Sequence, residues 1–128
     1  MYEIRVKADF SAAHNLREAG GKCESLHGHN FSVEVAVESE VLNEAGMVMD
    51  FRRLKEKIRT ILEVLDHHYL NELAPFQGVN PSSENLAAFI FARLSREVDE
   101  GPRRVSQVSV WESETSQAIY RPPGRKND

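Results

Sequence analysis

Three histidines and the chain's single cysteine lie within sixteen positions near the start of the sequence. His14 stands alone, and Cys23 precedes the motif His27-Gly28-His29. Histidine is the commonest protein ligand for zinc-like metals, and three imidazoles that leave one coordination position open form a catalytic arrangement. Because imidazoles suit zinc and no thiolate cluster points to another ion, we predict a zinc site at His14, His27 and His29.

The spacing of the His-Gly-His motif has a mechanical basis. Residues 31–37 alternate apolar and polar side chains, which predicts a strand, and His27 and His29 share the parity of its apolar positions. If the strand begins this early, both imidazoles leave the same face. Gly28, which has no side chain, leaves room on the opposite face or permits an unusual backbone angle.

Cys23 allows three interpretations. It can complete a closed structural zinc site with the three imidazoles, in a noncatalytic module. It can instead lie beside the metal as an activated thiolate, because a nearby cation lowers the pKa of a thiol. It can also be a small buried apolar side chain, which suits so polar a segment least. Spacing alone does not choose between ligand and base.

Two further places carry acid–base groups. Asp66-His67 follows a helical segment, where the helix dipole favours a cationic histidine, or where the carboxylate orients the imidazole for proton transfer. Glu112 shares the parity of Val108 and Val110 in a predicted strand, so its carboxylate extends an apolar face. If Glu112 is solvated at the strand end, this parity means little. If it lies in a pocket, the buried carboxylate needs donors, and an amino group next to a ring N–H, as in guanine or pterin, would supply two.

The segment Ser82-Ser83-Glu84 is explained by the start of a helix, with a serine cap and an acid in the first turn. The same three side chains can also face a ligand.

The apolar pattern predicts the elements that must position these groups. Strands are predicted over residues 2–10, 29–40, 104–112 and 117–121. Helical spacing predicts one helix after Asp50, with an apolar stripe from Phe51 to Leu65, and another after Ser82 or Ser83, with a stripe from Leu86 to Val98. Residues 11–28 are predicted to form a long loop that holds His14, Cys23 and His27, and loops of this length tend to be functional. The order strand, strand, helix, helix, strand, strand predicts an α+β fold with both helices on one face of an antiparallel sheet.

Length and composition restrict the class of protein. The 128 residues predict one domain, over residues 1–128, and the formal net charge of -4 argues against a dedicated nucleic-acid binder. No apolar run approaches the roughly 20 residues that span a bilayer. A single cysteine excludes an internal disulfide and fits a reducing cytoplasm. We therefore expect a cytoplasmic protein with no nucleic-acid or membrane partner.

Six motifs in order resemble the 6-pyruvoyl-tetrahydropterin synthase and 6-carboxy-tetrahydropterin synthase family, over essentially the full length of the chain. They are Phe10-Ser11-Ala12-Ala13-His14, Cys23 with His27-Gly28-His29, Gly46-Met47-Val48-Met49-Asp50-Phe51, Leu65-Asp66-His67-His68-Tyr69-Leu70-Asn71, Pro81-Ser82-Ser83-Glu84-Asn85 and Val110-Trp111-Glu112-Ser113.

The resemblance implies the tunnelling fold, in which subunits of four strands and two helices assemble into barrels. It implies a homohexamer of two trimers with active sites at subunit interfaces. It also implies zinc at the three histidines, Cys23 as the catalytic base, and Asp66 with His67 as the proton relay. Glu112 would anchor the amidine edge of a pterin, near Ser82, Ser83 and Glu84.

The implied reaction is that of a lyase acting on 7,8-dihydroneopterin triphosphate. The short Cys23–His27 spacing resembles bacterial enzymes of queuosine biosynthesis, which make 6-carboxy-5,6,7,8-tetrahydropterin and release triphosphate and acetaldehyde. Glu24, directly after Cys23, resembles a bacterial subgroup that makes 6-hydroxymethyl-7,8-dihydropterin for folate, with the glutamate as an alternative base. A 6-pyruvoyl product, and a solvated loop acid at Glu24, remain the other interpretations.

Overall fold

The computed structural model describes residues 1–18 and 25–124, and it contains one four-stranded antiparallel sheet in the order β1-β2-β3-β4. The elements follow the predicted order, with two short 3-10 turns, Leu70–Glu72 and Ala74–Phe76, between the helices. Their bounds are β1 Tyr2–His14, β2 His27–Ser39, α1 Phe51–Leu62, α2 Ser83–Val98, β3 Arg104–Ser113 and β4 Ser116–Tyr120. The predicted α+β fold is confirmed.

The core lies between one face of the sheet and the two helices. Alternate residues of β2, from Phe31 to Val37, are fully buried, and they pair in register with buried or partly buried residues of β1 and with buried residues of β3. The helices contribute apolar stripes at helical spacing, which the sequence predicted. These stripes are Leu54, Ile58, Ile61 and Leu62 on α1, and Leu86, Ile90, Leu94 and Val98 on α2.

Both helices begin at a side-chain cap. The carboxylate of Asp50 accepts the N–H of Arg52 at 2.8 Å, and the hydroxyl of Ser82 accepts the N–H of Asn85 at 3.1 Å. Each bond satisfies a backbone donor that the first turn of a helix leaves free. Ser82 is therefore the cap of α2, while Ser83 is its first residue.

The predicted loop over residues 11–28 is wrong at both ends. β1 continues to His14 and β2 begins at His27, so that His14 pairs with His27 and Ala12 pairs with His29. Buried and more exposed residues continue to alternate after Phe10, with Ala12 and His14 buried. The sequence did not show this alternation because residues 11–13 are all small. His14 and His27 therefore lie on strands rather than in a loop.

Two smaller expectations also change. Helix α1 ends at Leu62, and its predicted first apolar residue, Phe51, is half exposed. Gly28 has no positive φ, and a Cβ there would lie 3.9 Å from the carbonyl of Ala12, an ordinary contact. An unusual backbone angle is therefore not the reason for glycine at position 28.

The face of the sheet opposite the helices is polar. Arg5 of β1 lies 3.1 Å from Glu34 of β2 on this face, and Lys7 lies over the ring of Trp111. Among the described residues, no helix has the length and apolar character needed to cross a bilayer.

Candidate metal centre and proton relay

The paired ends of β1 and β2 bring three imidazoles together. His14, His27 and His29 all leave the face of the sheet that carries the core. Their ring centroids lie 4.6 Å apart for His14–His27, 4.6 Å for His27–His29 and 5.4 Å for His14–His29. His27 and His29 therefore leave the same face of β2, as their shared parity predicted.

Glu112 of β3 completes this cluster. Its Oε1 atom lies 2.8 Å from Nε2 of His29, 3.3 Å from Nε2 of His14 and 3.7 Å from Nε2 of His27. The four candidate ligand atoms all lie within 4.8 Å of one another. A register shift between Trp111 and Ser113 makes Glu112 the extra residue of a β-bulge, a feature that re-aims side chains next to active sites.

Backbone carbonyls orient two of the imidazoles. Nδ1 of His14 donates to the carbonyl of Pro81 at 2.7 Å, and Nδ1 of His27 donates to the carbonyl of Ser25 at 2.7 Å. A neutral ring that donates through Nδ1 presents a lone pair at Nε2. This is the arrangement in which metal-bound histidines are held by their outer hydrogen bonds.

His29 provides the test of whether a metal fits. Its Nε2 atom is buried and has no hydrogen-bond partner among the described residues, although Oε1 of Glu112 lies 2.8 Å away. Burial lowers the pKa of His29, opposed by the charge of Glu112 and reinforced by the other two imidazoles. A neutral His29 has a lone pair for a metal, so three nitrogens and one carboxylate oxygen fit a zinc-like ion.

Phe31 forms the apolar floor of the cluster. Its fully buried ring lies 5.4 Å from the ring of His14 and 5.6 Å from that of His29, and it stacks on Phe10. His14 is itself fully buried. The cluster therefore rests on the core and opens only through its more exposed members, His27, His29 and Glu112.

Asp66 and His67 form a carboxylate–imidazole pair against the edge of β1. Oδ1 of Asp66 accepts the N–H of Ser11 at 2.8 Å and lies 3.0 Å from Nδ1 of His67. The Ser11 hydrogen bond is the main cause that lowers the pKa of Asp66, with His67 adding to it against partial burial. The ring of His67 is 82% exposed, so it can meet a ligand or a neighbouring chain.

The backbone at His67 is strained. Its φ is 59°, in the left-handed region that non-glycine residues rarely adopt. The hydrogen bond from the N–H of His67 to the carbonyl of Ser11 (2.6 Å) holds this conformation. His29 and His67 both border an open cavity of about 480 Å³ beside the edge of β1, whereas His14, His27 and Glu112 are not among its lining residues.

The comparisons with known proteins decide the family. Residues 3–123 match the family model described as 6-pyruvoyl tetrahydropterin synthase. The chain belongs to this enzyme family. The solved structure of a 6-pyruvoyl tetrahydropterin synthase from Caenorhabditis elegans covers 94% of the chain, and 95% of that structure is covered, at 29% identity and a TM-score of 0.84.

Relatives within the synthase family carry names for three different reactions. A 6-carboxy-5,6,7,8-tetrahydropterin synthase of Synechocystis sp. is 41% identical over 96% of this chain and 95% of its own. A dihydroneopterin monophosphate aldolase of Pyrococcus furiosus is 38% identical over 85% and 88% of the two chains. A 6-pyruvoyl tetrahydrobiopterin synthase of Dictyostelium discoideum is 30% identical over 91% and 86%.

The remaining predicted site residues are less closely tied to the cluster. Ser82 and Ser83 are partly buried and Glu84 is exposed, all directly after Pro81, whose carbonyl holds His14. Cys23 and Glu24 lie outside the described residues. Their roles, and those of Ser82, Ser83 and Glu84, stay predictions.

Sequence reasoning missed the groups that hold the chain just after β1. The side chain of Asn71 bonds the backbone of Asn15 in both directions, at 3.0 and 2.9 Å. Asn80 does the same for the backbone of Arg17, at 2.8 Å for both bonds. The only available signal was that Asn71 and Asn80 lie in or beside the matching motifs, next to Leu70 and Pro81.

Proposed function

We propose that the protein is a zinc-dependent lyase that converts 7,8-dihydroneopterin triphosphate to 6-carboxy-5,6,7,8-tetrahydropterin, with release of triphosphate and acetaldehyde. The observation that carries this proposal is the convergence of three imidazoles and Glu112 in a chain of the tetrahydropterin synthase family. The relative that bears the carboxy synthase name covers nearly the whole of both chains, which supports the choice of product.

Different residues of the chain would carry out different parts of the reaction. A zinc ion at the three imidazoles would supply Lewis acidity toward the hydroxyls of the substrate side chain. Glu112 would hold the amidine edge of the pterin, and Cys23 would remove a proton as thiolate. The exposed ring of His67, oriented by Asp66, would carry a second proton to or from solvent.

Product analysis tests this proposal. The zinc-loaded protein is incubated with 7,8-dihydroneopterin triphosphate, the pterin is identified by mass spectrometry, and acetaldehyde is measured in an independent assay. We expect the carboxy product and acetaldehyde in equal amounts, with one water consumed per turnover. A pterin product unaccompanied by acetaldehyde would contradict the proposed reaction.

A second product has support of its own. The pair Cys23-Glu24, together with the relative named dihydroneopterin monophosphate aldolase, favours cleavage to 6-hydroxymethyl-7,8-dihydropterin. Glu24 would then be the alternative base. In that case the Glu24→Gln variant would lose the hydroxymethyl product, while Cys23→Ala would retain it. The 6-pyruvoyl product of the relatives named pyruvoyl synthases is a third outcome of the same assay.

We further propose a cytoplasmic homohexamer with active sites at subunit interfaces, within queuosine biosynthesis. The chain is acidic overall and has one cysteine. Exposed His67 and the polar sheet face give surfaces through which copies of the chain can meet.

A further inference from the structure

Two roles compete for the carboxylate of Glu112. Under the proposed function it pairs with the amino group and ring N–H of a pterin. In the structure, however, its Oε1 atom lies among the Nε2 atoms of His14, His27 and His29. The amidine edge of a pterin pairs with both oxygens of one carboxylate, so an Oε1 atom that is held among the imidazoles is not free for that pairing.

The distances around Oε1 are those of a tetrahedral site. Zinc–nitrogen and zinc–oxygen bonds near 2.1 Å place neighbouring ligand atoms about 3.4 Å apart in a tetrahedron. Oε1 lies 2.8, 3.3 and 3.7 Å from the three Nε2 atoms, which brackets that value. Oε1 therefore occupies the place of a fourth ligand.

The hydrogen bonds around the cluster favour an ion between these atoms. Neutral His14 and His27 rings that donate through Nδ1 have lone pairs at Nε2, which then face the lone pairs of a carboxylate oxygen. This contact is repulsive unless a cation lies between the atoms or one Nε2 carries a proton, as in a hydrogen bond from His14 to Oε1 at 3.3 Å. With a cation among them, all four groups become ligands, as the unpartnered Nε2 of His29 also requires.

Glu112 is placed to leave this position. It is the extra residue of a β-bulge near the end of β3, and its side chain is 35% exposed, whereas His14 is fully buried. Of the four groups, Glu112 is the most exposed and His14 is fixed in the core. A change of side-chain rotamer at Glu112 would not disturb the packing below.

We infer that Glu112 is an exchangeable fourth metal ligand, which binds the ion in the substrate-free protein and leaves it to pair with the pterin. Its departure opens one coordination position as the pterin arrives, so the site becomes reactive only when a pterin ring is seated. This inference rests on the proposed function. It requires that pterin and metal compete for one carboxylate. Pterin binding must then weaken metal binding, and metal binding must weaken pterin binding by the same factor.

Metal affinity provides the first test. Zn²⁺ is titrated into metal-free wild type, Glu112→Gln and the control Glu114→Gln, in competition with a chromophoric chelator. Glu114 is exposed in the turn two residues further on, and its substitution makes the same change of charge. We expect Glu112→Gln to weaken Zn²⁺ binding by about 10-fold or more, and Glu114→Gln to leave it unchanged. Equal affinity in all three proteins would overturn the inference.

A wild-type measurement completes the test without any variant. Co²⁺ replaces zinc, and its visible spectrum is followed while unsubstituted pterin, which has no side-chain hydroxyls to reach the metal, is added. We expect the spectrum to change as the carboxylate leaves, and the affinity for Co²⁺ to fall several-fold. An unchanged spectrum on addition of saturating pterin would overturn the inference.

The two tests separate the inference from the proposed function. If the carboxy product forms but neither Zn²⁺ affinity nor the Co²⁺ spectrum responds as described, the lyase stands and the ligand exchange fails. If both respond but the product is different, the exchange stands and the proposed reaction fails.

Discussion

The three histidines of the cluster have unequal surroundings, and this predicts unequal consequences when each is removed. His14 is fully buried and donates to the carbonyl of Pro81, whereas the side chain of His27 is 28% exposed and donates to the exposed segment at Ser25. His14 therefore has a structural role beside its proposed role as a ligand.

We expect His14→Ala and His27→Ala each to weaken zinc binding by more than about 100-fold, since each removes a proposed ligand. In the metal-free protein, His14→Ala should also lower the free energy of unfolding by about 1–3 kcal/mol, because it leaves a buried carbonyl unpaired. His27→Ala should change it by less than about 0.5 kcal/mol. Metal titration and urea unfolding measure the two effects, and equal destabilisation would contradict the assignment.

Asp66 has a lowered pKa, so the folded state favours its ionised form. Its contribution to stability is therefore present at neutral pH, above the unfolded pKa, and is lost as pH falls through the lowered folded value. As the partner of His67 it would also orient the ring that moves a proton.

Asp66→Asn should reduce turnover about 100-fold, because the ring loses the charge that orients and supports it. Its stability deficit should be largest near neutral pH, begin to shrink as pH falls toward about 4, and vanish only below the lowered pKa of Asp66 in the folded state. Urea unfolding of metal-free protein measures this, since acid also releases metal from histidines. The control Asp9→Asn changes a carboxylate on the polar sheet face. If Asp66→Asn is still less stable than wild type in acid, the stabilisation does not depend on the ionised carboxylate of Asp66, and the prediction is contradicted.

Sequence patterns identified these residues to different degrees. The alternation in β2 placed His27 and His29 on one face, and the same reasoning placed Glu112 on the apolar side of β3. That Glu112 would lie among the histidines was not readable, because it depends on a bulge and on the pairing of β2 with β3. The role of the Pro81 carbonyl was not predicted, because every residue has a backbone carbonyl and the residue type does not show which one accepts a hydrogen bond.

At the scale of elements, side-chain amides bond the backbone of the residues that directly follow β1. Asn71 and Asn80 each bond one backbone N–H and one carbonyl, at Asn15 and Arg17 respectively. Asn80 is held in turn by the amide of Asn85 at the start of α2. These bonds fix residues 15–17, directly after β1.

We expect Asn80→Ala to lower the free energy of unfolding by about 1–3 kcal/mol, because two partly buried backbone groups lose their partner. Asn80→Asp keeps the acceptor for the N–H of Arg17 but loses the donor to its carbonyl, so its loss should be intermediate. If both variants have the same free energy of unfolding as wild type, the stabilising role of the Asn80 side chain is contradicted.

The elements themselves were largely predictable, and their ends were not. Apolar alternation and helical spacing fixed the order of the elements and the stripes of α1 and α2. The extension of β1 to His14 depends on distant partners, since the carbonyl of Ser11 and the N–H of Ala13 are bonded by residues 67 and 68. Local sequence does not reveal such partners.

At the scale of the whole molecule, β1 and β4 form the two edges of the sheet, and the polar face lies opposite the helices. An edge strand can pair with another copy of the chain. The family resemblance implies that six copies do so and that sites form between them.

We expect native mass spectrometry to give six times the mass of the chain. We also expect His29→Gln and His67→Gln, each inactive alone, to recover activity when refolded together. If metal and relay come from different subunits, random mixing restores about a quarter of the sites. A monomer, or a mixture as inactive as its components, would contradict interface sites.

The central claim is that three imidazoles hold a catalytic zinc without help from the thiolate of Cys23. X-ray absorption at the zinc edge of the substrate-free protein measures the ligands directly. We predict nitrogen and oxygen scatterers at about 2.0–2.1 Å, with the outer-shell signature of imidazole and no sulfur, and the same spectrum in Cys23→Ala. A zinc–sulfur distance of about 2.3 Å in wild type, lost in Cys23→Ala, would show a closed structural site and contradict the account.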